Sequence, residues 1–240
     1  MTAPHFFAPD VSGERVALEG DEARHASRVL RVRPGEVITI SDGRGRVVTA
    51  IVSEAGAELV ADVRERATEP PPRPEVVVFA AIPKAGKLDL VVQKLTELGV
   101  GQIRPFPAAR SVSRWDDAKS ALQTARLNAI AREAAKQSRR AWLPTVHAPA
   151  PLEASEFPRP SFVLDEEAEG RSGLGAVLPP EPPATVGLVV GPEGGLDREE
   201  VSALTARGVE RASLGPLILR AETAALVAVA IVGVRYGRLG

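Results

Sequence analysis

The pattern of apolar and polar positions changes character near residue 70. Before it, short β-rich runs at Glu36 to Ile40, Arg46 to Ile51 and Ala57 to Val63 are parted by the turn-forming Asp42-Gly43-Arg44-Gly45 and Glu54-Ala55-Gly56. Runs of that length and spacing predict a small β-barrel or sheet. Within it, Asp21 to Val32 predicts a helix stopped by Pro34-Gly35, with Arg24, Arg28 and Arg31 at i, i+4 and i+7 on one exposed face. Thr68-Glu69-Pro70-Pro71-Pro72-Arg73-Pro74 places four prolines in seven residues, which neither a helix nor a central strand tolerates, so a stiff linker is predicted there. After it, Glu75 to Ile82 is nearly continuous in apolar residues, the mark of a strand buried on both faces. Strands at Gln102 to Phe106, Ser161 to Leu164, Thr185 to Val190 and Val209 to Leu214 then alternate with helices. The helices are predicted at Leu88 to Leu98, Asp116 to Arg140, Asp197 to Arg207 and Glu222 to Arg235. That alternation predicts an α/β domain with a mostly parallel sheet. The expected division is a domain over residues 1–69 and another over 75–240.

Composition narrows the chemistry. With 240 residues, 44% hydrophobic and 25% charged, the chain is an ordinary folded globular protein, and disordered, collagen-like and coiled-coil classes are excluded. It has no cysteine, which removes disulfides, thiolate zinc sites and cysteine nucleophiles; three histidines (His5, His25, His147) leave little for a metal site, and none is expected. The start, Met1-Thr2-Ala3-Pro4-His5, lacks a basic segment followed by an apolar run, so no signal peptide and a cytoplasmic location are expected. The most apolar stretch, Ala224 to Val234, is well short of the ~18 residues of a membrane span and reads as a buried helix, so no membrane association is expected. A net charge of −1 hides an asymmetry: residues 84–142 carry 12 Lys/Arg against 5 Asp/Glu, and residues 143–206 carry 3 against 11. The middle third is therefore a candidate polyanion surface.

Two motifs carry the candidate chemistry. Val189-Val190-Gly191-Pro192-Glu193-Gly194-Gly195-Leu196-Asp197 follows a buried strand and leads into a helix that Asp197 would cap. Its glycines let backbone approach a ligand at the carboxyl end of a parallel strand, where open α/β sheets bind. It matches neither a dinucleotide fingerprint nor a Walker loop. The second, Leu214-Gly215-Pro216-Leu217-Ile218-Leu219-Arg220-Ala221-Glu222-Thr223-Ala224-Ala225, is an apolar loop opening a helix with Arg220 and Glu222 at its start. Taken singly, Glu222 serves the helix dipole and Arg220 an ion pair.

In combination the two motifs resemble those of the SPOUT methyltransferases. Three further stretches resemble one branch, the RsmE group of 16S ribosomal RNA uridine N3-methyltransferases: His25 to Gly35, Lys84 through Leu88 to Val100, and Glu133-Ala134-Ala135-Lys136-Gln137-Ser138. The chain departs from that pattern at Ala109, where the family usually has Glu, at Ala141, where it often has Asn, and at Leu127, where it often has Trp. The resemblance implies a PUA-like β-barrel followed by a SPOUT α/β domain whose C-terminal chain forms a trefoil knot around S-adenosyl-L-methionine. It implies a homodimer acting on 16S ribosomal RNA in the 30S subunit, at uridine 1498. The donor-binding residues it implies are Leu164, Val190, Gly191, Pro192, Glu193, Gly194, Gly195, Leu214, Gly215, Ile218, Leu219 and Thr223.

Uridine N3 carries a weakly acidic proton that must leave before or during transfer, so the expected catalytic pair is Arg220, to orient the base or steady its negative charge, and Glu222, to position Arg220 or take the proton. Carbon-5 methylation commonly uses a thiolate, which this chain lacks, so nitrogen or ribose-oxygen methylation remains. A ribose 2′-O-methyltransferase of the same class and a non-catalytic ribosome assembly factor are the competing readings. For RNA phosphates the candidates are Arg24, Arg28 and Arg31 in the first domain and Lys84, Lys87, Arg110 and Arg140 after it.

Overall fold

The computed structural model describes residues 3–83, 87–110, 115–165 and 172–240. The chain divides into two units: Met1–Pro71 with Ala135–Leu143, and Pro72–Ala134 with Pro144–Gly240. Residues 135–143 lie inside the expected second domain, yet they return to the first unit.

In the first unit, β1 (His5–Phe7), β2 (Arg15–Leu18), β3 (Val37–Ser41), β4 (Arg46–Ala55) and β5 (Leu59–Thr68) form one sheet in the order β1-β3-β4-β5-β2. β1 runs parallel to β3, and the remaining pairs are antiparallel. Along β4 the side chains of Val48, Ala50 and Val52 turn inward. They meet Ile38 and Ile40 of β3, Leu59 and Ala61 of β5 and Val16 and Leu18 of β2 in a single core. Register shifts at Thr49/Ala50 and Val52/Glu54 interrupt the β4–β5 ladder, the kind of bulge that bends a strand. Gly45 turns the chain between β3 and β4 at φ 95°; a Cβ there would lie 2.5 Å from the Glu69 carbonyl oxygen and 2.7 Å from the Trp142 ring. The returning segment is fastened to this sheet by hydrogen bonds. Ser41 Oγ donates to the Ala141 carbonyl (2.9 Å), Trp142 Nε1 donates to the Glu69 carbonyl (3.1 Å), and the buried His5 ring bridges Thr39 Oγ1 (2.8 Å) and the Arg140 carbonyl (3.2 Å).

The helix expected over Asp21 to Val32 is shorter and changes form. α1 (Gly20–Arg24) passes into a wide π-helical turn, His25–Val29, in which the Leu30 N–H reaches the His25 carbonyl at 3.1 Å. Arg31 then adopts a left-handed φ of 54° and leaves the helix, while Arg24 pairs with Asp21. The three arginines therefore do not share one helical face, because the wider turn changes the angular spacing that the i, i+4, i+7 pattern assumes.

In the second unit, β6 (Glu75–Ala81), β7 (Gln102–Phe106), β8 (Thr145–Val146), β9 (Ser161–Leu164), β10 (Thr185–Val190) and β11 (Glu210–Ala212) form a parallel sheet in the order β11-β9-β10-β6-β7-β8. The continuous apolar run of β6 is explained by two cores. Val76, Val78 and Ala80 face α2 (Lys87–Glu97), α3 (Asp117–Gln137) and α6 (Ala221–Arg235), whereas Val77, Phe79 and Ala81 face α5 (Arg198–Ala206) and the loop bearing Leu152. Leu127 of α3 is buried in the first of these cores. A short helix, α4 (Leu174–Val177), completes the unit. Among the described residues no helix is long and apolar enough to cross a membrane.

Phe79 is fully buried and packs its ring 4.7 Å from that of Phe157. Phe79→Ala is expected to destabilise this unit by about 3–5 kcal/mol, whereas Leu122→Ala, at a position 68% exposed, should change stability by less than about 0.5 kcal/mol. Urea denaturation followed by circular dichroism checks both.

Candidate active site

β11, β9 and β10 lie side by side and parallel, so the segments that leave their carboxyl ends emerge on one edge of the sheet. Those segments enclose a cleft of about 630 Å³ that is partly open to solvent. Leu164, Val190, Gly191, Pro192, Glu193, Gly195, Leu214, Gly215, Ile218 and Leu219, ten of the residues singled out in the sequence, line it. Gly194 and Thr223 do not: the Gly194 carbonyl instead accepts from Arg110 at 2.7 Å, and Thr223 is exposed on the first turn of α6. Sequence reasoning missed Asp165, Leu196, Ser213, Leu217, Ala221 and Ala224. Leu196, Leu217, Ala221 and Ala224 lie inside the two motifs and Ser213 directly precedes the second, so taking the motifs whole and one position wider would have found them. Asp165 belongs to no motif, and its partner Arg211 sits on the adjacent strand, a pairing that only the β9–β11 register brings about.

The loop after β10 is held in shape from several directions. The Gly195 N–H closes a turn on the Pro192 carbonyl (2.9 Å), with Gly195 at φ 69°. Asp197 and Glu200 form a reciprocal capping box at the start of α5, Glu200 N to Asp197 Oδ1 at 2.7 Å and Asp197 N to Glu200 Oε2 at 2.9 Å. The other Glu200 oxygen accepts from the Ala109 N–H (2.9 Å), which ties the segment after β7 to the same turn. A Cβ on Gly191 would come within 3.0 Å of the Leu196 backbone nitrogen, so the chain packs here as only a glycine allows.

Beside the cleft lies a smaller recess of about 290 Å³, with Val190, Gly191 and Ala221 shared between the two. Lys87 and Glu222 line this recess. Lys87 Nζ stands 3.2 Å from Glu222 Oε1 and 3.3 Å from Glu193 Oε1. A hydrogen bond from its own backbone N–H holds the Glu222 carboxyl below its usual range, with Lys87 adding to this and partial burial opposing it; Lys87 in turn is raised by Glu222 and Glu193. Glu222 Oε2 is buried and has no hydrogen-bond donor among the described residues. Arg220 is the N-cap residue of α6, exposed, and forms no ion pair among the described residues.

The basic residues expected to meet phosphate are placed differently from one another. Lys87 is engaged by two carboxylates and lines the recess, and Arg110 is engaged by the Gly194 carbonyl in the loop after β10. Arg28 and Arg31 are exposed in the first unit, as is the ion-paired Arg24. Arg140 is half-buried, with its carbonyl facing His5, and Lys84 lies outside the described residues. Among the described residues there is no group of three or more metal-ligating side chains.

Comparison with known proteins agrees with this geometry. A model of an RNA methyltransferase domain matches residues 69–233, and one of an RNA methyltransferase PUA domain matches residues 18–61. The ribosomal RNA small subunit methyltransferase E of Mycobacterium bovis is 38% identical over 239 residues, which covers 96% of this chain and 90% of that protein. The protein of the same name from Bacillus subtilis is 34% identical over 226 residues, with coverage of 90% and 88%. A crystal structure of ribosomal RNA small subunit methyltransferase E from Neisseria gonorrhoeae bound to S-adenosyl methionine has a TM-score of 0.86 at 28% identity, over 98% of each chain. A parallel sheet with a loop-built cleft at its carboxyl edge, joined to a PUA-type unit, thus defines an RNA methyltransferase. Within that class the chain belongs to the ribosomal RNA small subunit methyltransferase E family.

Asp197→Ala removes one half of the capping box and is expected to cost about 1 kcal/mol of stability. Chemical denaturation beside wild type measures it.

Proposed function

We propose that this enzyme methylates N3 of one uridine, uridine 1498, in 16S ribosomal RNA of the 30S subunit, with S-adenosyl-L-methionine bound in the large cleft. The observation that carries the reading is the convergence of three loops on one cleft, with the Glu222 carboxylate in the recess behind a shared wall. The cleft suits the donor. Its walls at Leu164, Val190, Leu214 and Leu219 are apolar, and Gly191, Gly195 and Gly215 bring backbone to its lining with no side chain in the way. The convergence of loops from adjacent strands also supports the knotted arrangement that the family resemblance implies. When bound, the donor supplies an electrophilic methyl group.

This chain's own residues then bring the base into line and manage its proton. Glu222, held ionised, accepts the N3 proton, and the exposed cationic side chain of Arg220 steadies the negative charge that develops on the ring. Residues 1–69 serve as the RNA-binding PUA-like domain, with exposed Arg24, Arg28 and Arg31, and residues 75–240 as the methyltransferase domain. The enzyme works as a homodimer in the cytoplasm; exposed Leu217, Ile218 and Val234, at 76%, 85% and 63%, support a paired apolar surface.

Single-turnover transfer from labelled donor to 30S subunits lacking the modification tests the assignment. Arg220→Ala is expected to slow transfer by about a hundredfold or more while donor binding, read by calorimetry, is retained. Gly191→Val should lose donor binding instead. A wild-type rate in Arg220→Ala removes that residue from the chemistry, and no transfer by the wild-type enzyme overturns the function.

A further inference from the structure

We propose that Lys87 is a positioning residue for methyl transfer: it clamps one oxygen of Glu222 and so fixes the carboxylate that takes the N3 proton of the target base. The inference rests on the reading of Glu222 as proton acceptor. From the sequence, Lys87 belongs to a basic stretch and reads as a phosphate contact. In the structure it instead joins two motifs that lie far apart in the chain, Glu193 of the loop after β10 and Glu222 at the start of α6.

The two oxygens of Glu222 are unequal. Oε1 lies 3.2 Å from Lys87 Nζ, while Oε2 is buried with no hydrogen-bond partner among the described residues. A buried carboxylate oxygen left unsatisfied costs free energy, and the Lys87 pairing that holds the group in place offsets part of that cost. The recess around it is otherwise apolar, with Ala81, Pro83, Leu88 and Val91 among its walls, so few other polar groups compete with Lys87 for the carboxylate. Its shared wall with the larger cleft places the proton acceptor and the donor site on either side of Gly191 and Ala221. In the transfer the N3–methyl bond forms as the donor's methyl–sulfur bond breaks, its electron pair staying on sulfur, and the N3 proton passes to the Glu222 carboxylate.

The charged groups around Glu222 among the described residues are Lys87 from α2, Arg220 at the head of α6 and, through Lys87, Glu193 from the loop after β10. Without Lys87, Glu193 and Glu222 are left as neighbouring carboxylates with no shared cation, an arrangement that favours protonation of one of them. The Lys87 side chain is 35% exposed, and methionine keeps an unbranched apolar stem in its place while removing the charge.

The test compares wild type, Lys87→Met, Lys87→Arg and Glu222→Gln in steady-state transfer to unmodified 30S subunits from pH 5 to 9. Lys87→Met is expected to lower kcat by about tenfold or more with KM for the subunits changed less than about twofold, and to move the acid limb of its pH profile to higher pH. Lys87→Arg should recover most of the rate. Wild-type kcat in Lys87→Met with a raised, salt-sensitive KM overturns the inference in favour of a phosphate contact. Loss of donor affinity alone overturns it in favour of a loop strut. Should Glu222→Gln be inactive while Lys87→Met is unimpaired, only the role of Lys87 fails; should Glu222→Gln run at the wild-type rate, the underlying assignment of Glu222 fails, and the inference with it.

Discussion

The site depends on the parallel pairing of β11, β9 and β10, with β6 next in the sheet. Parallel strands require crossover connections, so every strand leaves the sheet at the same edge, and the loops there crowd together with no need for any one of them to be long. That geometry is held by burial on both faces. β6 sends Val76, Val78 and Ala80 to one core and Val77, Phe79 and Ala81 to the other, and β10 divides the same way through Leu188 and Val190 against Val189. A polar substitution on either face would face a core, which is why these segments read as unbroken apolar runs. The carboxyl edge is the one place where this constraint lapses, and polar backbone and charged side chains gather there.

On that edge, charge is arranged in pairs that act as ties. Glu200 serves two backbone nitrogens, Arg110 holds the Gly194 carbonyl, Asp165 pairs with Arg211, and Lys87 spans Glu193 and Glu222. Several of these groups are partly buried, where a carboxylate without a partner would be unfavourable. The exceptions then become informative. Among the described residues Glu222 Oε2 lacks a donor and Arg220 lacks an ion pair, and both stand at the head of α6 beside the shared wall of the two cavities. Opposite charges left partly uncommitted suit a reaction in which a neutral base loses a proton and becomes anionic.

Much of the second unit was legible. β7, β9 and β10 have the bounds expected from the sequence: β9 and β10 are apolar runs buried on both faces, and β7 sends Ile103 to one core and Phe106 to the other. The first unit was less so. β1 and β2 have three and four residues, too few to show a period, and the π-helical turn after α1 carries the same spacing of apolar residues as an ordinary helix. The return of residues 135–143 rests on contacts such as Ser41 with Ala141, a hundred positions apart, which no local pattern encodes. In the site, the glycine-rich and apolar loops announced themselves by composition. The two partners of Lys87 were not legible because a count of charges records how many cations a segment has and not which carboxylates face them. Asp165 was missed for the same reason, its partner being supplied by strand register.

The chemistry assigned to the cleft is nitrogen methylation of a uracil ring, and the identity of the modified nucleoside tests it most directly. Unmodified 30S subunits are incubated with the wild-type enzyme and labelled S-adenosyl-L-methionine, the 16S RNA is digested, and the labelled nucleoside is separated against standards. The account predicts 3-methyluridine at a single position. Label recovered as 2′-O-methyluridine would contradict it, since a ribose hydroxyl, and not the N3 proton facing Glu222, would then be the group the site activates.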